Sequence, residues 1–133
     1  MENERLKLGW NFQRELTKIN YRIHTDAIKE KLIPGVVGKK QESVLYSDEA
    51  DMLNVALFGM TAAEWRDKNP EKEGNIRDYA ALEQLVVLSN LESINSVLVR
   101  QGLAQTERLI RLNETAISQM KSLVKNNNIK KLK

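Results

Sequence analysis

The sequence has no cysteine, one histidine, two prolines and only 5% aromatic residues among its 133 positions. Without cysteine there is no disulfide framework, no thiolate metal site and no thiol nucleophile, so the core is held by noncovalent packing alone. A lone histidine leaves any divalent metal site to oxygen ligands. Proline occurs only at positions 34 and 70, and Leu, Ala, Glu, Lys, Gln and Arg are plentiful, a balance that favours helix over strand. No apolar run approaches the roughly 18 residues of a membrane span, and the first seven residues lack the basic start and apolar stretch of a signal peptide. The expectation is therefore an all-α protein that is soluble and cytoplasmic, with no membrane partner. One domain suffices at this length, because a chain of this size buries roughly two-thirds of its unfolded surface.

Charge is modest in total, +3, and uneven in place. Residues 1–33 hold 7 basic and 5 acidic side chains, residues 34–79 hold 6 and 9, and residues 80–133 hold 8 and 4. A basic final third suits phosphate, and it equally suits the preference of cations for helix C-termini.

The first helix is predicted over residues 3–31, since Leu8, Phe12, Leu16, Ile19 and Ile23 recur at spacings of three and four and share one face. Trp10, Tyr21 and Ile28 lie beside that row and widen it. Pro34 and Gly35 end the helix, because the residue before proline is pushed out of the helical region. Residues 36–47 show no period and read as a loop. A second helix is expected from Ser47, whose hydroxyl suits an N-cap, with Asp48, Glu49 and Asp51 placing negative charge at the positive end of the helix dipole. Gly59 is its stop. Thr61 and Glu64 form a capping box that starts a short third helix, ended by Asn69 and Pro70.

Two helices meeting across Gly59 and Met60 have the outline of a helix-turn-helix. The second of them is hardly two turns long and carries Glu64 and Asp67 beside Arg66 and Lys68, which argues against groove reading. Trp65 is a core anchor on this view. Asn75 or Asp78 then caps what should be the longest helix, buried on much of its circumference by Tyr79, Leu82, Leu85, Val86, Leu88, Leu91, Ile94, Val97 and Leu98. Gly102 is expected to kink it or to be passed through at about 1 kcal/mol relative to alanine. A long C-terminal amphipathic helix follows, its stripe formed by Leu109, Leu112, Ala116, Met120 and Leu123, with Ile110, Ile117 and Val124 as a flanking row. Either it folds back as a hairpin or it protrudes and pairs with another subunit. The whole is one helical domain over residues 1–124, two long helices flanking a short pair, with a basic flexible tail at 125–133.

Candidate chemistry is thin. His24 and Asp26 are two apart on a helix and do not face each other. Asp48, Glu49 and Asp51 are accounted for by a helix start, and neither a phosphate loop nor a dinucleotide fingerprint is present. No catalytic residue, metal site, cofactor or small-molecule substrate is assigned, and the protein is expected not to be an enzyme.

Several segments are specific in wording: Leu6-Lys-Leu-Gly-Trp-Asn-Phe-Gln-Arg-Glu-Leu, Asn20-Tyr-Arg-Ile-His-Thr-Asp-Ala-Ile-Lys, Asp48-Glu-Ala-Asp-Met-Leu-Asn-Val-Ala-Leu-Phe-Gly-Met-Thr-Ala, Trp65-Arg-Asp and Gly74-Asn-Ile-Arg-Asp-Tyr-Ala. Together they span nearly the whole chain, which resembles the C-terminal region of phage and bacterial proteins carrying a KilA-N domain. In that family a small DNA-binding module precedes this region, and it has no counterpart in these segments. The resemblance implies a phage or mobile-element origin and a role beside DNA.

Two functions follow as expectations. The first is an association module, a dimer or higher homo-oligomer paired through Leu109, Leu112, Ala116, Met120 and Leu123, which would bring DNA-binding modules together at two half-sites. The alternative is direct nucleic-acid contact through Arg100, Arg108, Arg111, Lys121 and Lys125, on a face that also carries Glu107 and Glu114.

Overall fold

A computed structural model describes residues 2–131, with side chains described for residues 11–124. The chain is all-α. Its helices are α1 (Glu2–Lys31), α2 (Lys39–Phe58), α3 (Ala62–Lys68), α4 (Leu82–Arg100) and α5 (Gln105–Lys131), with 3-10 turns at Ile33–Gly35 and Ile76–Tyr79. Among the described residues there is no strand, and no helix is long and apolar enough to cross a membrane. Helix α5 runs on through Lys131 into the expected tail, whose side chains, Lys125 included, lie outside the described residues. Leu8 and Trp10 of the α1 pattern lie outside them too.

Local chemistry sets several boundaries as expected. Gly59 closes α2 in the left-handed region at φ +77°, its N–H donating to Val55 O at 3.0 Å. The capping box is complete: Glu64 N–H donates to Thr61 Oγ1 and Thr61 N–H to Glu64 Oε1, both at 3.2 Å. It aims Trp65 into the body, where the indole is buried and lies 5.3 Å from the ring of Tyr79. Thr61→Ala should therefore cost about 1 kcal/mol, seen as a lower urea midpoint with an unchanged slope and faster amide exchange confined to α3.

Three boundaries differ from expectation. Helix α2 begins at Lys39, not at Ser47: residues 39–46 contain no breaker, and Gly38 at φ +92° turns the chain into the helix while Gln41 Oε1 accepts from Val37 N–H at 3.2 Å. Asp48, Glu49 and Asp51 thus sit mid-helix, and their capping explanation lapses. Asn75 caps only a 3-10 turn, so α4 starts at Leu82 and, at 19 residues, is shorter than α1 with 30. Gly102, at φ +80°, ends α4 outright. Leu103 N–H donates to Leu98 O at 3.2 Å and Gly102 N–H to Val99 O at 3.0 Å, the paired bonds of a Schellman stop.

The chain reverses there, and α5 returns antiparallel along α4, as the pairings Asn90 with Gln119 and Asn95 with Arg108 show. Helix α5 runs parallel to α2, with Asn113 Nδ2 donating to Ala56 O at 2.9 Å. Helix α1 runs parallel to α4, joined by Asn20 to Ser89 and Glu30 to Arg100. The core lies between α2, α4 and α5 and is built from Met52, Leu53 and Ala56, from Val87, Leu88, Leu91 and Leu98, and from Leu112 and Ala116.

Candidate functional site

At the point where all four long helices meet, the interior is polar. Glu49 of α2 and Arg108 of α5 are 1% and 3% exposed and form a two-pronged ion pair, Nη1 to Oε1 and Nη2 to Oε2, the latter at 3.2 Å. Arg108 Nη1 also donates to Asn95 Oδ1 at 3.0 Å and Nε to Leu103 O at 3.1 Å, which ties α5 to α4 and to the turn between them. Glu49 accepts in addition from Asn95 Nδ2 at 3.2 Å and from Gln105 Nε2 at 2.8 Å. Asn95 Nδ2 meets His24 Nε2 of α1 at 2.8 Å, so the imidazole accepts there and carries its proton on Nδ1.

The electrostatics agree with neutral histidine beside an ionised pair. Burial pushes His24 down to about 4; Glu49 opposes this while Arg108 and Arg77 add to it. Burial also pushes the Glu49 carboxyl up, but its bond to Arg108, the Arg108 charge and the amides of Asn95 and Gln105 outweigh that and hold it below its ordinary value. Both carboxylate oxygens of Glu49, both amide atoms of Asn95 and all three guanidinium nitrogens of Arg108 are engaged. Among the described residues no group of three or more His, Cys, Asp or Glu gathers to hold a metal. What this cluster does physically is lock the register of four helices.

A second polar group, Glu92, stands apart. It is 1% exposed, and its Oε1 has no hydrogen-bond partner among the described residues. Burial pushes it up to about 7, with Arg77 pulling the other way. It lines a cavity of about 280 Å³ between α1, α4 and the 3-10 turn that carries Arg77.

The expected sites fare differently. Leu112 and Ala116 are buried in the core, with Leu109, Met120 and Leu123 packed against it, so this stripe is spent within the chain and is not a free subunit interface. The physical reason is the Gly102 reversal, which lays it on α2 and α4. The basic residues do not share one face. Arg108 points inward to Glu49, because a helix whose stripe centres on Leu112 carries position 108 on the same side. Arg100 pairs with Glu30 at 2.6 Å and Arg111 with Glu107 at 3.1 Å. Lys121 is exposed beside a shallow apolar cavity under Ile117 and Val124, and Lys125 lies outside the described side chains.

Two apolar rows do face solvent. On α5 they are Ile110, Ile117 and Val124. On α1 the row Phe12, Leu16, Ile19 and Ile23 is 41–69% exposed, while the opposite side carries Asn20 and His24, bonded to α4, and the fully buried Ala27 and Ile28. On α4, Val97, one turn before Arg100, is exposed as well. No family model, curated protein or solved structure matches the chain, so its function is read from this geometry and from the sequence.

Proposed function

We propose that the chain is a non-catalytic helical association module that pairs with a second copy of itself through the outer face of α1. The observation that carries this is the exposed row of α1: Phe12, Leu16, Ile19 and Ile23 lie in water, while the opposite side of the helix, with His24, Ala27 and Ile28, is buried. The exposed fractions of Phe12, Leu16, Ile19 and Ile23 amount to about two whole side chains per copy, or ~3–6 kcal/mol of unrecovered burial. A two-fold pair recovers this twice, a gain of the same order as the ~4–15 kcal/mol cost of association. Pairing is therefore concentration-dependent.

Charge favours an antiparallel arrangement. Glu15 and Arg22 both flank the row on its solvent side, seven residues apart. An antiparallel copy that layers Leu16 on Ile19 and Phe12 on Ile23 brings Glu15 of each helix opposite Arg22 of the other, whereas a parallel copy forms neither pair. In the setting that the KilA-N resemblance suggests, such pairing would hold two DNA-binding modules at neighbouring half-sites. Direct nucleic-acid binding is the weaker reading, since Arg108 is internal and Arg100 and Arg111 are in ion pairs.

Sedimentation velocity decides. The wild-type chain is expected to be dimeric at tens of micromolar, and Ile19→Glu, which puts a charge at the centre of the row, to be monomeric with an unchanged circular dichroism spectrum. A wild-type monomer at that concentration overturns the assignment.

A further inference from the structure

We propose that the cavity beside Glu92 is a binding site for a purine nucleoside monophosphate, guanine preferred, held base inward and phosphate at the mouth. This is independent of self-association through α1. The floor of the cavity is an acceptor in need of a donor: Glu92 is 1% exposed and its Oε1 meets no hydrogen-bond partner among the described residues. A buried polar atom left open in this way is uncommon in folded proteins and calls for a partner. The mouth has the opposite character. Arg14 and Lys18 line it and are exposed, and Arg77, half-buried, lines the cavity near enough to Glu92 to act on its charge. Neither Arg14 nor Arg77 is in an ion pair with any described residue, and Lys18 meets only the exposed Glu15. Leu85 and Leu88 supply apolar wall between floor and mouth.

A ligand that satisfies all three features has N–H donors at one end, a flat apolar body, and negative charge at the far end. With Lys18 beside Glu15, Arg14 and Arg77 stand against the one carboxyl of Glu92, a balance that favours an anionic ligand. A free α-amino acid carries its ammonium and carboxylate on one carbon and cannot place one at the buried floor and the other at the exposed mouth. A purine nucleotide can. Guanine presents a ring N–H and an adjacent amino group, two donors in the geometry an ionised Glu92 accepts, so its binding is coupled to loss of the Glu92 proton, while adenine offers its amino group alone. A volume of about 280 Å³ lies at the lower edge of ligand pockets and suits one base with its phosphate outside, not a dinucleotide.

Calorimetric titration of the full chain with guanosine monophosphate, guanosine, adenosine monophosphate and inorganic phosphate tests this. Guanosine monophosphate is expected to bind saturably, and guanosine and phosphate each roughly tenfold or more weakly, since each lacks one charge-assisted set of contacts. Glu92→Gln, which keeps the shape of the side chain, should weaken the nucleotide by about tenfold and leave phosphate unchanged. Arg14→Glu, an exposed change that leaves the core untouched, should weaken the nucleotide and phosphate together and leave guanosine unchanged. The proposal is overturned by the absence of nucleotide binding, by phosphate binding as tightly as the nucleotide, or by a folded Glu92→Gln protein with wild-type affinity.

Discussion

Arg108→Met is expected to destabilise the protein by about 3–5 kcal/mol, the largest effect of any single substitution considered. The change keeps most of the side-chain volume and removes the charge. Glu49 is then left ionised at 1% exposure with only Asn95 and Gln105 as donors, and Asn95 Oδ1 and Leu103 O lose their partner as well. At this chain length each kcal/mol moves the melting temperature by roughly 3–6 °C, so the transition should fall by on the order of 10–30 °C. The cost comes from stranding a charge, which a double substitution separates from lost packing. Glu49→Leu combined with Arg108→Met removes both charges together, and its stability should lie well above that of either single variant, with a coupling of up to ~3 kcal/mol in the cycle. Arg111→Ala, which breaks an exposed pair one turn away, serves as the comparison and should stay within about 0.5 kcal/mol of wild type. If Arg108→Met costs no more than Arg111→Ala, the polar centre does not hold the helices together.

That centre was hidden from sequence reading for a definable reason. Thr61 with Glu64, Gly59, and Asn75 with Asp78 act on backbone groups within four residues, so their residue types alone announce them. Glu49 and Arg108 are 59 residues apart, and each has a sufficient local explanation, one as a helix-start carboxylate and the other as part of a basic face. The same limit applies to α1. Periodicity states that Phe12, Leu16, Ile19 and Ile23 share a face, but which side meets the body depends on what α4 presents, and α4 presents Ser89 and Asn95. A signal did exist. Ser89, Glu92, Asn95 and Ser96 interrupt the densest apolar run of the chain, in a helix expected to be buried nearly all round, and polar residues so placed demand polar partners from other helices. Read that way, the run in α4 predicts buried hydrogen bonds to groups elsewhere, which His24, Glu49 and Arg108 supply to Asn95 and Asn20 to Ser89, while Ser96 turns back to Ser93 O and Glu92 Oε1 stays open.

The second large effect is a pair of opposed pH dependences that conceal each other. His24 is neutral in the folded protein down to about 4 but titrates near 6.5 when unfolded, so between those values the unfolded chain binds the extra proton and stability rises with pH. Glu92 behaves in the opposite sense. It holds its proton up to about 7 when folded and loses it near 4.5 when unfolded, so between those values the folded chain binds the extra proton and stability falls as pH rises. Each contribution is worth about 3 kcal/mol across its window. The windows overlap from about 4.5 to 6.5, where the two slopes cancel and the wild-type urea midpoint should be nearly level. Below that range stability drops, as His24 completes its titration and Glu49, whose folded carboxyl is held below its ordinary value, begins to take up a proton. Substitution uncovers the hidden slopes. Glu92→Gln removes the falling contribution, so stability should climb from pH 4 to 6.5 and then level off. His24→Gln, whose amide oxygen still accepts from Asn95, removes the rising one, and stability should decline from pH 4.5 to 7. Midpoints measured across this range at constant ionic strength for the three proteins give the comparison, and three parallel profiles would show that neither buried group carries the pH dependence assigned to it.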